Sequence, residues 1–201
     1  GRSTGKVVED IKKELKNMPM PSDIMVNFGG DAEEQAKAFK DMGLLLILGI
    51  ILVYMVMAAQ FESLLDPFIV MFSVPFTFTG VQAAFFLTKT TLSIISFLGM
   101  IMLMGIVVNN AIVLISYINI LRARGLKIKD AITQSGKERL RPVLMTTITT
   151  LVGLMPLALS RGEGSETWSP LGITMIGGLT VSTFITMLFV PTLYAVFESR
   201  L

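Results

Sequence analysis

Residues 90–121 read TTLSIISFLGMIMLMGIVVNNAIVLISYINIL, an apolar run without one charged side chain that stops at Arg122. A helix needs about 17 to 25 such residues to cross the hydrocarbon core of a bilayer. In lipid every backbone N–H and C=O must be satisfied internally, which leaves helices and closed barrels as spanning structures, and this uninterrupted run reads as a helix. Working outward, uncharged stretches recur at 42–61, 67–88, 142–160 and 168–197, so the chain is expected to carry five transmembrane helices. Composition agrees: 52% of the 201 residues are hydrophobic, 16% are charged, and the mean hydropathy is +0.69. The fold class expected is mainly α, a polytopic membrane protein.

The charges that interrupt these runs set an orientation. Arg122, Arg124, Lys127, Lys129, Lys137, Arg139 and Arg141 cluster between the third and fourth runs, whereas Lys89 and Arg161 stand alone in the connections on the opposite side. Cytoplasmic connections carry the excess of Lys and Arg, so 122–141 reads as a basic cytoplasmic loop and 161–167 as a periplasmic one. Alternation then puts residues 1–41 outside and the end at 198–201 inside the cell. A charged segment lying outside, with no signal peptide ahead of it, is expected to follow earlier transmembrane helices of a longer parent protein.

Within residues 1–41, Val7, Val8, Ile11 and Leu15 follow a helical period among lysines and acids, and the helix is expected to end at Pro19 and Pro21. Ile24, Val26 and Phe28 alternate as in a half-buried strand before Gly29 and Gly30. Asp31, with Glu33 and Glu34 in the following turn, suits the start of a helix that runs into the membrane. The expectation is a small α/β fragment ahead of the spans.

Several chemistries are excluded. The sequence has no Cys and no His, which removes disulfides, thiolate metal sites and any His-based hydrolytic triad. There is no nucleotide-binding loop, and a net charge of +2 does not point to nucleic acid. The 14 Met residues lie mostly in apolar runs, where they replace Leu as flexible filler rather than forming a metal route. No cofactor is implied.

No ionisable residue lies inside the five runs, so the strongest polar feature is Asn109-Asn110 in the middle of the third. An unpaired amide in hydrocarbon costs roughly 2 to 7 kcal/mol, so both should face protein or water. Interhelical adhesion and a functional site are both open for this pair. Met102, Gly105, Asn109 and Ser116 fall near one face, with Asn110 about 100° away. Thr146, Thr149, Thr150 and Gly153 form a matching face on the fourth run. Small residues at Ser73, Thr77, Gly80 and Ala84 and at Thr174, Gly178, Ser182 and Thr186 would let helices approach closely, and Gly105, Gly153 and Gly178 are the glycines expected to pack.

GIVVNNAIVL at 105–114 resembles the motif in the second membrane half of the resistance-nodulation-cell division (RND) efflux pumps, hydrophobe and amphiphile branch. AAQFESLLDPF at 58–68, ERLRPVLMTTITTLVGLMPLAL at 138–159, the GEGSE loop at 162–166 and GITMIGGL at 172–179 are similar to the same family and follow in its order. The resemblance implies a bacterial inner-membrane, proton-driven exporter of drugs or amphiphiles, a secondary transporter rather than an enzyme. Residues 1–41 would then end a periplasmic porter subdomain. The partners implied are the N-terminal half of the same pump, two further copies in a homotrimer, a periplasmic adaptor, an outer-membrane channel and membrane lipid.

In that family a carboxylate pair in the first half takes up the proton. The resemblance implies that Asn109, Asn110, Thr146 and Arg139 occupy relay positions opposite it, Asn109 standing where many multidrug members carry Lys. A heavy-metal-exporting member of the family and a truncated, non-transporting module are the alternative readings.

Overall fold

A computed structural model describes residues 4–18, 30–162 and 164–198. The chain forms two compact units, 1–45 and 46–201. The order of elements is α1 (Thr4–Asn17), α2 (Asp31–Phe61), α3 (Leu65–Met71), α4 (Ser73–Thr88), α5 (Ile94–Ala123), α6 (Ile128–Ala158) and α7 (Ser165–Glu198). Among the described residues five segments are long and apolar enough to cross a membrane: α2, α3 with α4, α5, α6 and α7.

The first unit holds α1 and the opening turns of α2. α1 covers the expected helix, with Val8 and Leu15 half-buried and Asp10, Lys13 and Glu14 exposed. Asp31 opens α2, and Glu33 pairs with Lys37 one turn on at 3.3 Å, a solvated pair worth a few tenths of a kcal/mol. The expected strand at Ile24, Val26 and Phe28 and the stop at Pro19 and Pro21 lie outside the described residues.

In the second unit α7 is the hub, packed along α4, α5 and α6. Its contact stripe is Thr174, Gly178, Ser182, Thr186, Val190 and Tyr194, every fourth residue and all buried. Small groups at this period let neighbouring backbones come close where lipid supplies no hydrophobic drive. α5 buries Leu103, Val107, Ala111, Leu114, Ile118 and Leu121 at three- and four-residue spacings, one face of a 3.6-residue helix. Met57 of α2, Ile69 and Val70 of α3 and Val190 of α7 join the lower part of that core. The opposite faces carry exposed Ile47, Leu48, Met55, Met145, Val152 and Leu188, as a membrane domain should.

Four boundaries depart from the sequence expectation. The run at 67–88 is two helices, because Pro75 has no N–H for the Met71 carbonyl and its ring crowds that carbonyl; Phe72 closes a tighter turn onto Ile69 instead. The run at 90–121 begins as a helix only at Ile94. Ser93 caps it, its Oγ accepting from Ser96 N–H at 3.1 Å while Ser96 Oγ accepts from Ser93 N–H at 2.8 Å.

The stretch 122–141 is not a loop. α5 continues through Ala123, and α6 starts at Ile128 and runs on through Pro142. The basic residues mask an amphipathic helix whose Ala131 and Ser135 are fully buried, Ser135 donating to the Leu114 carbonyl at 3.3 Å. Likewise α7 begins at Ser165, inside the expected connection 161–167. Ser169 ties this start to α6, donating to the Ala158 carbonyl at 2.8 Å.

Candidate functional site

The buried face of α5 fixes where its asparagines point. Asn109 lies two residues past the buried Val107, about 200° around the helix, and is exposed. It lines a crevice of about 310 Å³ with Gly105 and Ile112 of α5 and Leu52 and Val56 of α2. Asn110 is half-buried. Neither amide makes a side-chain hydrogen bond among the described residues.

Thr146 is exposed on α6 and turns its hydroxyl back on its own helix, donating to the Val143 carbonyl at 2.9 Å and the Pro142 carbonyl at 3.3 Å. Its neighbour Thr147 is buried and pairs with Thr183 of α7 at 3.2 Å. Arg139 lies about two turns earlier on α6, its guanidinium 4.4 Å from the centre of the Tyr117 ring. Tyr117 donates to Glu138, which also accepts from Gln134 at 2.9 Å, so this end of α6 is held on α5 by a polar cluster. No hydrogen bond joins Asn109, Asn110, Thr146 and Arg139 to one another among the described residues.

Of the three glycines read as packing positions, Gly178 is in a tight contact, since a Cβ there would run into Leu103 and Val81. A Cβ at Gly105 or Gly153 would meet nothing within 4 Å among the described residues. Close approaches to the backbone of a neighbouring helix fall at other glycines. A Cβ at Gly80 would lie 2.7 Å from the Gly177 carbonyl oxygen, and one at Gly172 2.7 Å from the Ala158 nitrogen.

The sequence reading missed one polar constellation. Asp66, placed in the first turn of α3 and buried, accepts from Asn119 Nδ2 at 2.7 Å. Asn119 Oδ1 in turn accepts from the Tyr194 hydroxyl at 2.7 Å, and Arg122 reaches both Tyr194 Oη, at 3.3 Å, and the Glu198 carboxylate. Carboxylate, amide, phenol and guanidinium thus tie α3, α5 and α7 together where α3 begins and α7 ends. The available signal was Asn119 and Tyr194, polar groups inside otherwise apolar runs.

These features can be set beside known proteins. The model of the AcrB/AcrD/AcrF family matches residues 1–198. The swarming motility protein SwrC of Bacillus subtilis (strain 168) is 40% identical over 202 aligned positions, which cover 96% of this chain and 19% of SwrC. Two crystal forms of a heavy metal efflux pump superpose with TM-scores of 0.89 and 0.86 at 32% identity, covering 100% of this chain and 20% of the pump in each case. The chain therefore spans about one fifth of the length of these relatives. A match along nearly the whole sequence, on a fold of five membrane-spanning segments, places the chain in the AcrB/AcrD/AcrF family of RND permeases.

Proposed function

We propose that this chain forms the second-half membrane helices of a proton-driven export permease of the inner membrane, acting on drugs or other amphiphiles. The observation that carries the reading is Asn109: an amide at mid-span, exposed and without a side-chain partner among the described residues. Left against lipid it would cost several kcal/mol, so it calls for a polar partner from the remainder of a longer protein. Thr146, equally exposed, supplies a hydroxyl whose bond to its own helix can be exchanged for one to an incoming group.

In the mechanism that fits, a carboxylate pair of the other membrane half takes up a proton from outside. Neutralisation changes its hydrogen bonds with Asn109 and Thr146, and the two halves rock against each other. A proton crossing the membrane supplies about 2.3 kcal/mol per 100 mV, enough to bias a two-state equilibrium many-fold. The N-terminal segment lies outside and the C-terminal end inside. The working unit is a homotrimer with an adaptor and an outer-membrane channel.

Efflux of a panel of dyes and detergents from cells expressing the full-length protein, with and without a protonophore, tests this. Protonophore-sensitive export of several amphiphiles is the expected result; a correctly inserted protein that exports none refutes it. The likeness to a heavy metal efflux pump favours a second reading, export of metal ions, which would appear in the same cells as protonophore-sensitive metal tolerance without dye efflux.

A further inference from the structure

A groove of about 470 Å³ lies between α4, α6 and α7, apart from Asn109 and from the Asp66 constellation. It is lined by small residues, Gly80 and Ala84 of α4 and Gly177 of α7, together with Ile176 of α7 and Met155 of α6. The close approach of Gly80 to Gly177 brings the backbones together and leaves open the space that larger side chains would fill. From Gly80 to Thr88 the groove follows eight residues of α4, a rise of about 12 Å. That is close to the thickness of one leaflet's hydrocarbon, about half of the ~30 Å core.

Two cations follow the residues at one end of the groove. Thr88 and Leu159 line the mouth, and the chain places exposed Lys89 directly after the one and exposed Arg161 two residues after the other. Neither cation has an ion-pair partner among the described residues. Exposed Trp168 near the start of α7 marks the same end of the bundle, the position of an indole at a membrane interface. The only described carboxylate of the adjoining connection, Glu166, sits in the first turn of α7, where the helix N-terminus accommodates it.

Which side of the bundle the groove opens on decides the occupant. Met155 lies nine residues past Thr146, about 180° around α6, so the groove faces away from the surface proposed to meet the other membrane half. It faces lipid. We infer that the α4/α6/α7 groove is a binding site for an anionic phospholipid, one acyl chain lying in the groove and the phosphate between Lys89 and Arg161. That the lipid belongs to the outer leaflet rests on the orientation proposed above; the pairing of apolar groove and cationic rim does not.

The test uses the full-length protein, purified in detergent and titrated with phosphatidylglycerol or with phosphatidylcholine of the same chains, bound lipid being read by native mass spectrometry. The wild type is expected to retain phosphatidylglycerol preferentially. Lys89→Gln with Arg161→Gln should erase the preference, roughly fivefold for each cation, while leaving the zwitterionic phosphatidylcholine able to bind. Thr180→Phe, which fills the groove, should reduce retention of both lipids, and Ala83→Leu serves the same purpose if the Phe variant does not fold. Equal retention of the two lipids by the wild type, an unchanged preference in the double Gln variant, or unchanged retention in the filled groove would each overturn the inference. None of these readouts depends on transport or on leaflet. Labelling of a Lys89→Cys variant from outside the cell examines the orientation separately.

Discussion

Asn119 on α5 donates its side-chain amide to the Asp66 carboxylate on α3 at 2.7 Å, across 53 residues of sequence, and accepts from Tyr194 on α7 with its other atom. One amide therefore uses a donor and its acceptor to bind two different helices. α3, only seven residues long, is too short to hold its place by its own backbone bonds, and this polar contact adds to the packing of Ile69 and Val70 in fixing it.

Removing the amide should hurt more than neutralising the acid. Asn119→Ala leaves the buried Asp66 carboxylate without the Asn119 donor and the Tyr194 O–H without its acceptor, Arg122 still donating to Tyr194 Oη, a loss of about 2 to 4 kcal/mol. Asp66→Asn keeps an acceptor for Asn119 and should cost about 1 kcal/mol or less. Thermal unfolding of the detergent-solubilised full-length protein should rank wild type above Asp66→Asn above Asn119→Ala; a reversed order of the two variants would show that the charge, not the shared amide, matters at this junction.

The glycines separate in the same way. At Gly80 a Cβ meets backbone, the Gly177 carbonyl oxygen at 2.7 Å, so Gly80→Ala must push α4 from α7 at about 1 to 3 kcal/mol. At Gly136 on α6 a Cβ meets nothing within 4 Å, and Gly136→Ala should stabilise by about 0.5 to 1 kcal/mol through helix propensity. Opposite signs in the midpoint of thermal aggregation are expected for the two variants.

Thr186 on α7 is 4% exposed, and its hydroxyl is the one buried side-chain group without a hydrogen-bond partner among the described residues. Replacing it with the similarly shaped Val removes an unmet polar group, so Thr186→Val should be neutral or stabilising by about 1 kcal/mol. Loss of folded yield would reveal that the hydroxyl has a partner in the assembled protein.

The apolar runs made the five spans legible, since a stretch without charge that is as long as a bilayer is thick seldom serves any purpose but crossing one. The residues later found buried on α4 and α7, Ser73, Thr77 and Gly80 on the one and Thr174, Gly178 and Ser182 on the other, were visible as small residues at helical spacing. The start of α6 was hidden by composition: seven basic residues between 122 and 141 read as a loop, though Ala131 and Ser135 already formed a narrow buried stripe. Asp66 was hidden by distance. Its partners lie 53 residues away and beyond, and no local pattern shows that a carboxylate just ahead of Pro67 turns inward. The same holds for Gly105 and Gly153, whose spacing suggested packing but whose faces α5 and α6 leave open in this chain.

Thr146 and Thr147 are adjacent, so the same substitution can be placed on two faces of one helix. Thr147 is buried against Thr183, and Thr147→Val removes a helix–helix hydrogen bond worth about 0.6 kcal/mol in a membrane interior, a loss visible only as a small drop in thermal stability. Thr146 bonds no other helix here, so Thr146→Val should leave stability unchanged. If its hydroxyl engages an ionised carboxylate during the proton cycle, the variant forfeits about 1.5 to 3 kcal/mol at that step, which is about tenfold or more in rate. Proton-coupled efflux by the two full-length variants at matched expression, alongside their unfolding midpoints, should therefore cross over: Thr147→Val slightly less stable but active, Thr146→Val as stable but slow. Equal transport by both would remove Thr146 from the relay.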